Sequence, residues 1–203
     1  MTKVLALDLS LTRTGFAADT DQGLLLGHFC PGKVESTEKS KAERLDAFHT
    51  TVREWLREFQ PDVVVIEDYS FGSRGRATFS LGELGGNVKR CIYSEGYEFT
   101  VVSPKTVKKF ATGNGNADKE DVFRRAIKLA SVEVYNNDQA DAFFLYSMAK
   151  QYYDGVVISD SKKALEAIDS VDWPVLENTE PIPETTSASH SILLDKALGL
   201  THE

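Results

Sequence analysis

The chain has 203 residues, 41% of them hydrophobic, which suits one domain with a real core followed by a tail. No apolar stretch approaches the length of a bilayer span, and the chain enters a strand-like run at once, so neither a membrane anchor nor a secretory leader is expected. The net charge of -8 argues at first sight against nucleic acid, but residues 70–130 carry 11 Lys/Arg against 6 Asp/Glu while residues 151–203 carry 3 against 10, and such asymmetry points to a polyanionic partner. Cys30 and Cys91 lack metal-ligand spacing and read as reduced thiols of an intracellular, cytoplasmic protein.

In chain order, residues 3–9 and 14–19 read as two strands, and the turn Asp21-Gln22-Gly23 leads to a third at 24–30. Residues 41–59 read as a helix, with Leu45, Phe48, Val52, Trp55, Leu56 and Phe59 on one face. Pro61 stops it, and the all-apolar run 63–66 is a strand buried on both sides. A Gly/Arg-rich loop follows, then a helix over 78–95 whose Gly82, Gly85 and Gly86 admit a close neighbour. Residues 98–102 form a fifth strand, and Ser103-Pro104 opens a short helix through Phe110. Helices are expected over 118–131 and 137–153, with the domain ending near 155. Residues 156–203 read as an acidic, flexible tail, with a short amphipathic pattern at 190–199.

Three strands, helix, strand, helix, strand and then helices is the order of a ribonuclease H-like α/β fold. Its five-stranded mixed sheet joins an antiparallel meander to two parallel strands, with helices on both faces. In that topology the first and fourth strands are neighbours, so Asp8 and Glu67 sit together at their carboxyl ends. Asp138 and Asp141, three apart, fall on one face of the last helix. Carboxylates at the ends of buried strands are costly unless paired or bound to metal. Each alone has an ordinary reading as a turn, a strand end or an acidic helix start; the four together point to hard divalent cations. Strand alternation sends only one of Glu67 and Asp68 to such a site.

Four segments resemble RuvC-type Holliday-junction resolvases of the divergent kind found in phages. They are Leu5-Ala6-Leu7-Asp8 through Gly15-Phe16, Val64-Val65-Ile66-Glu67-Asp68, Ser103-Pro104 through Asp118-Lys119, and Asn137-Asp138-Gln139-Ala140-Asp141-Ala142. Leu9 departs from the proline frequent in that family, and the acidic tail has no counterpart. The resemblance implies an endodeoxyribonuclease acting on branched DNA, a symmetric homodimer, and catalytic roles for Asp8, Glu67, Asp138, Asp141, Lys108 and Lys119. Two Mg²⁺ ions about 4 Å apart, replaceable by Mn²⁺, would activate the attacking water and neutralise the leaving oxygen. Asp8 would be shared between the ions, with Glu67, Asp138 and Asp141 completing the set. Tyr69 and Phe71 are candidates to stack at an opened crossover, and Arg74, Arg76, Lys105 and Lys109 to contact phosphates. Rival readings are another ribonuclease H-like nuclease, a lobe of an actin-like ATPase or sugar kinase, and a non-catalytic junction binder.

Overall fold

A computed structural model describes residues 1–32, 35, 37–69 and 76–176, with Arg76 and Ala77 by backbone alone. Phe71, Arg74, the Arg76 side chain and the 190–199 pattern lie outside the described residues.

Strands β1 (Val4–Asp8), β2 (Thr14–Thr20), β3 (Gly23–Phe29), β4 (Val63–Glu67) and β5 (Glu98–Val102) form one sheet in the order β3-β2-β1-β4-β5. The first three are antiparallel neighbours; β4 lies parallel to both β1 and β5. The helices are α1 (Glu38–Phe59), α2 (Arg76–Ser94), α3 (Pro104–Thr112), α4 (Lys119–Leu129), α5 (Asn137–Asp154) and α6 (Lys162–Asp169). This is the expected mixed sheet with helices on both faces. Among the described residues it is the only sheet. Among them, too, no helix is long and apolar enough to cross a membrane.

Strand alternation divides the core in two. Leu5, Leu7, Val64 and Ile66 face one way and pack with Phe48, Val52 and Leu56 of α1 and Leu84, Val88 and Ile92 of α2. Each such side chain, fully buried, contributes roughly 1.5–3 kcal/mol. Val4, Ala6, Val63 and Val65 face the other way, toward Phe143, Phe144 and Met148 of α5 and Val107 and Phe110 of α3. Ala6 and Ala17 are cross-strand partners on that side, and their small side chains let α5 lie close over the sheet. The helix α5 is covered nearly all round, which is why its sequence shows no clean polar face.

Two boundaries differ from the sequence reading. Thr37 caps α1 through its hydroxyl, which accepts the Ser40 N–H at 3.2 Å, so the helix gains a turn before residue 41. The domain does not end near 155. Ala164, Ala167 and Ile168 of α6 are buried, as are Trp173 and Leu176 beyond it. The Trp173 indole N–H donates to the Ile168 carbonyl at 2.9 Å, and its ring stacks on Tyr152 with centroids 5.0 Å apart. The polar composition of 159–172 masks a few well-spaced apolar anchors, so the compact domain reaches at least residue 176.

Candidate metal centre

The register of β1 on β4, with Leu7 opposite Ile66, brings the two strand ends level. By alternation Asp8 follows Val4 and Ala6, and Glu67 follows Val63 and Val65, so both belong to the face that α5 covers. Asp68 belongs to the other face; its carboxylate accepts its neighbour Tyr69's N–H at 2.9 Å. Asp141 lies one turn into α5. One carboxylate oxygen from each of Asp8, Glu67 and Asp141 lies within 4.8 Å of the others.

The first turn of α5 is fixed from three sides. Asn136 caps it, its side-chain oxygen accepting the Gln139 N–H at 3.0 Å. The buried Gln139 in turn accepts the Tyr135 N–H at 2.8 Å through its own side chain. Gly15, the cross-strand partner of Asp8, lets the helix start against β2: a Cβ there would stand 2.2 Å from the Asp138 carbonyl oxygen.

Asp138 is the exception to the expected convergence of four acids. Its carboxylate is turned to Arg13, whose Nε–H donates to it, and it is not among the mutually close oxygens. Its charge still reaches Asp8.

Burial, and then repulsion from Asp141, pushes the Asp8 carboxyl up to about 7. Burial and the adjacent Asp8 raise Glu67 well above the ordinary carboxylate range. Burial likewise raises Asp141 to about 6, against the opposing fields of Lys119 and then Lys108. Among the described residues none of the three acids forms an ion pair, so these lysines act at a distance. Close carboxylates whose charged forms are disfavoured by burial and mutual repulsion suit a hard divalent ion. All donors are oxygens, with no His or Cys that would favour zinc.

The remaining candidates are spread around this centre. Tyr69 packs toward Gly85, 3.7 Å from where a side chain would begin there, and Lys89 Nζ is 5.9 Å from its ring centre. Lys105 is exposed at the start of α3, its carbonyl against Gly115. Lys109 is engaged by Glu166 of α6 at 2.7 Å. Arg13, Gly15, Gln139 and Glu166 had no assigned role from sequence. Gly15 stood inside a motif already singled out, whereas the pairing of Arg13 across 125 positions had no local signal.

The family described as crossover junction endodeoxyribonuclease RuvC matches residues 4–146. The RuvC of Ruegeria pomeroyi is 28% identical over 152 residues, spanning 74% of this chain and 92% of its own length. That of Rhodopseudomonas palustris is 31% identical over 142 residues, spanning 69% and 82%. In fold, the chain superposes on the Thermus thermophilus RuvC structure with a TM-score of 0.60 at 22% identity, covering 75% of this chain and 96% of that one. The same protein in complex with Holliday junction substrate gives 0.58 at 20% identity, covering 72% and 93%. With the match running from the first residue of β1 into α5, through all three clustered acids, the chain belongs to the RuvC family of crossover junction endodeoxyribonucleases.

Proposed function

We propose that this protein resolves four-way DNA junctions by paired, Mg²⁺-dependent phosphodiester hydrolysis. The observation that carries the proposal is the convergence of Asp8, Glu67 and Asp141, from two strands and a helix, with none of the three ion-paired among the described residues. Those three would hold the metal, with Asp138 as a fourth donor and Mn²⁺ as a substitute ion. When bound, the divalent ions supply Lewis acidity to the attacking water and charge neutralisation to the leaving oxygen.

The protein's own contribution is positioning and field. Asp8 and Glu67 are held rigidly by paired strand ends, and Asp141 by the capped first turn of α5. Lys119 and Lys108, whose positive fields already reach the acids, are assigned to bind the scissile phosphate and stabilise charge that develops on it. Lys105 and Lys109, with Arg74 and Arg76, are assigned to backbone phosphates. Tyr69 and Phe71 are assigned to base stacking at the crossover, Tyr69 with one face committed to α2.

Two cuts on opposite strands require two sites, and α2 offers a surface for a symmetric dimer. Phe79 and Tyr93 are each 77% exposed, and between them Gly82 and Gly86 face open space. A second copy of this helix would cover all four. Sedimentation of the intact chain as a monomer at micromolar concentration would remove this part of the proposal.

The main test is cleavage of synthetic four-way junction, duplex, flap and RNA–DNA hybrid in Mg²⁺. Symmetric nicks confined to the junction are expected; preferential cutting of hybrid would move the protein to another branch of the fold. Asp8→Asn should lower cutting by more than about 100-fold, beyond the usual loss for a group that merely supports a metal ligand. The same variant should still bind the junction, because it loses a negative charge from the phosphate-facing site. Cutting at a normal rate by Asp8→Asn would overturn the metal assignment.

A further inference from the structure

The family match ends at residue 146, yet the folded chain continues to 176. This added segment is firmly placed. The helix α6 packs on α3 through Ala164, Ala167 and Ile168, and the Thr100 hydroxyl donates to the Asp172 carbonyl at 2.7 Å. Its charges are arranged against helix stability: Lys162 and Lys163 occupy the first turn and Asp169 the last, the reverse of what the helix dipole favours. Both lysines are exposed, so neither serves the core.

Their surroundings suggest another purpose. The Lys163 stem passes over Gly113, the left-handed cap of α3, with its Cδ 3.7 Å from where a Gly113 side chain would begin. Lys163 and Arg125 of α4 line one open concavity of about 620 Å³, together with Ser159, Ser161 and Asn114. The acids of this region are Asp121, which lines the concavity, Asp118 at the cap of α4, the exposed Asp160 between Ser159 and Ser161, and Glu166. Glu166 is held below its ordinary value first by Lys109, and also by Lys162 and Lys163, so one carboxylate sits among three ammonium groups. Four cations, Lys109, Arg125, Lys162 and Lys163, thus stand around this region from three helices. The region lies just beyond α3 and the loop that lead to Lys108 and Lys119.

We propose that α6 widens the nucleic-acid surface of this protein: Lys162 and Lys163, with Arg125, contact backbone phosphates of a duplex arm leaving the metal centre. The inference rests on the nuclease reading above. The contacts would be sequence-independent and salt-sensitive, each phosphate contact adding about 0.9 to the slope of log affinity on log salt.

The test uses the full chain and a fluorescent four-way junction in EDTA, with binding measured by anisotropy from low to moderate salt. The double variant Lys162→Ala/Lys163→Ala should bind about tenfold more weakly at low salt, its slope shallower by roughly 1–2. Glu166→Gln should do the opposite, since it frees Lys109 and removes the local negative charge. Opposite signs separate a phosphate surface from simple damage to α6, which would weaken both variants. If the wild type binds the junction while the double variant matches it in affinity and slope, the inference fails and the nuclease reading stands. If the wild type neither binds branched DNA in EDTA nor cuts it in Mg²⁺, both fall together.

Discussion

At the amino end of α5, Asp141 crowds against Asp8 and Glu67, offset among the described residues by the more distant Lys119 and Lys108. At its carboxyl end, Asp154 and Asp19 share Lys150, which is only 6% exposed. Lys150 Nζ lies 2.5 Å from Asp154 and 3.5 Å from Asp19, and donates to the Thr2 carbonyl at 2.8 Å. Asp154 also accepts the Thr2 N–H, and Asp19 accepts the Val4 N–H and the Tyr146 hydroxyl. Burial alone would raise Asp154, but Lys150 and the Thr2 N–H outweigh it and hold the carboxyl below its ordinary value. The same helix thus carries an acid that is ion-paired at one end and, among the described residues, one that is not at the other. The ion-paired end ties the start of β1 to α5. The acids at the other end repel one another until they take up protons or a cation, which is how a binding site differs from a structural ion pair.

Breaking the ion-paired end should give the largest change in stability. Lys150→Met leaves the Asp154 carboxylate and the half-buried Asp19 with no cation, and loss of one partner from a buried pair costs about 3–5 kcal/mol. Urea unfolding should show that loss, while metal affinity at the opposite end stays unchanged in the folded fraction. A change below about 1 kcal/mol would mean that water reaches the carboxylates, and that this end is no better satisfied than the other.

Next in size is the response to pH and metal. Without metal, Asp8, Glu67 and Asp141 are raised in the folded chain. The folded state therefore holds protons that the unfolded chain has released, and stability follows the folded state's extra protons. Their contribution is complete below the unfolded values near 4 and is lost as pH climbs through about 6 and 7. Asp154 has the opposite sign: its contribution is present above the unfolded value and lost as pH falls. Metal-free stability attributable to the acidic end should thus decline from pH 5 to 7.5. Mg²⁺ should restore it, by about 2.7 kcal/mol at a hundred times its dissociation constant. The gain should be larger at pH 7.5 than at 5, because at low pH the cation must displace protons. Equal gains at both values would show that the acids are already ionised without metal.

The acidic end was legible in the sequence because its parts sit in strong local patterns. Asp8 and Glu67 end apolar runs that leave little choice but buried strands, and the element order alone makes those strands neighbours. Asp141 follows from helical spacing. Asp138 stands apart from the close trio because spacing specifies a face but not a rotamer, and a long-range partner, Arg13, holds its carboxylate. The Lys150 cluster was invisible for a related reason. Lys150 and Asp154 do stand at i,i+4 spacing on α5, but nothing local marks Thr2 and Asp19 as their partners. The added helix α6 was read as tail because its few apolar anchors are diluted by Ser, Lys and Asp. Composition averages over a window, whereas packing requires only that Ala164, Ala167 and Ile168 meet α3.

Two glycines in the meander sharpen the contrast with the smallest expected effect. A methyl at Gly15 would meet the backbone of Asp138, carbonyl oxygen first at 2.2 Å. A methyl at Gly27 would meet the Phe16 ring at 2.4 Å, a side chain on the α1 and α2 face. Overpacking of either kind costs about 1–3 kcal/mol. The strain relaxes differently. At Gly27 the ring can swing within its aromatic cluster with Trp55 and Phe59. At Gly15 relief requires the first turn of α5 to move off β2, and that carries Asp141 away from Asp8 and Glu67. Gly15→Ala should therefore weaken Mn²⁺ binding and cutting, while Gly27→Ala, with a similar loss of stability, should leave both near wild type. Equal metal affinity in the two variants would show that α5 can shift without disturbing the acids, and that Gly15 serves packing alone.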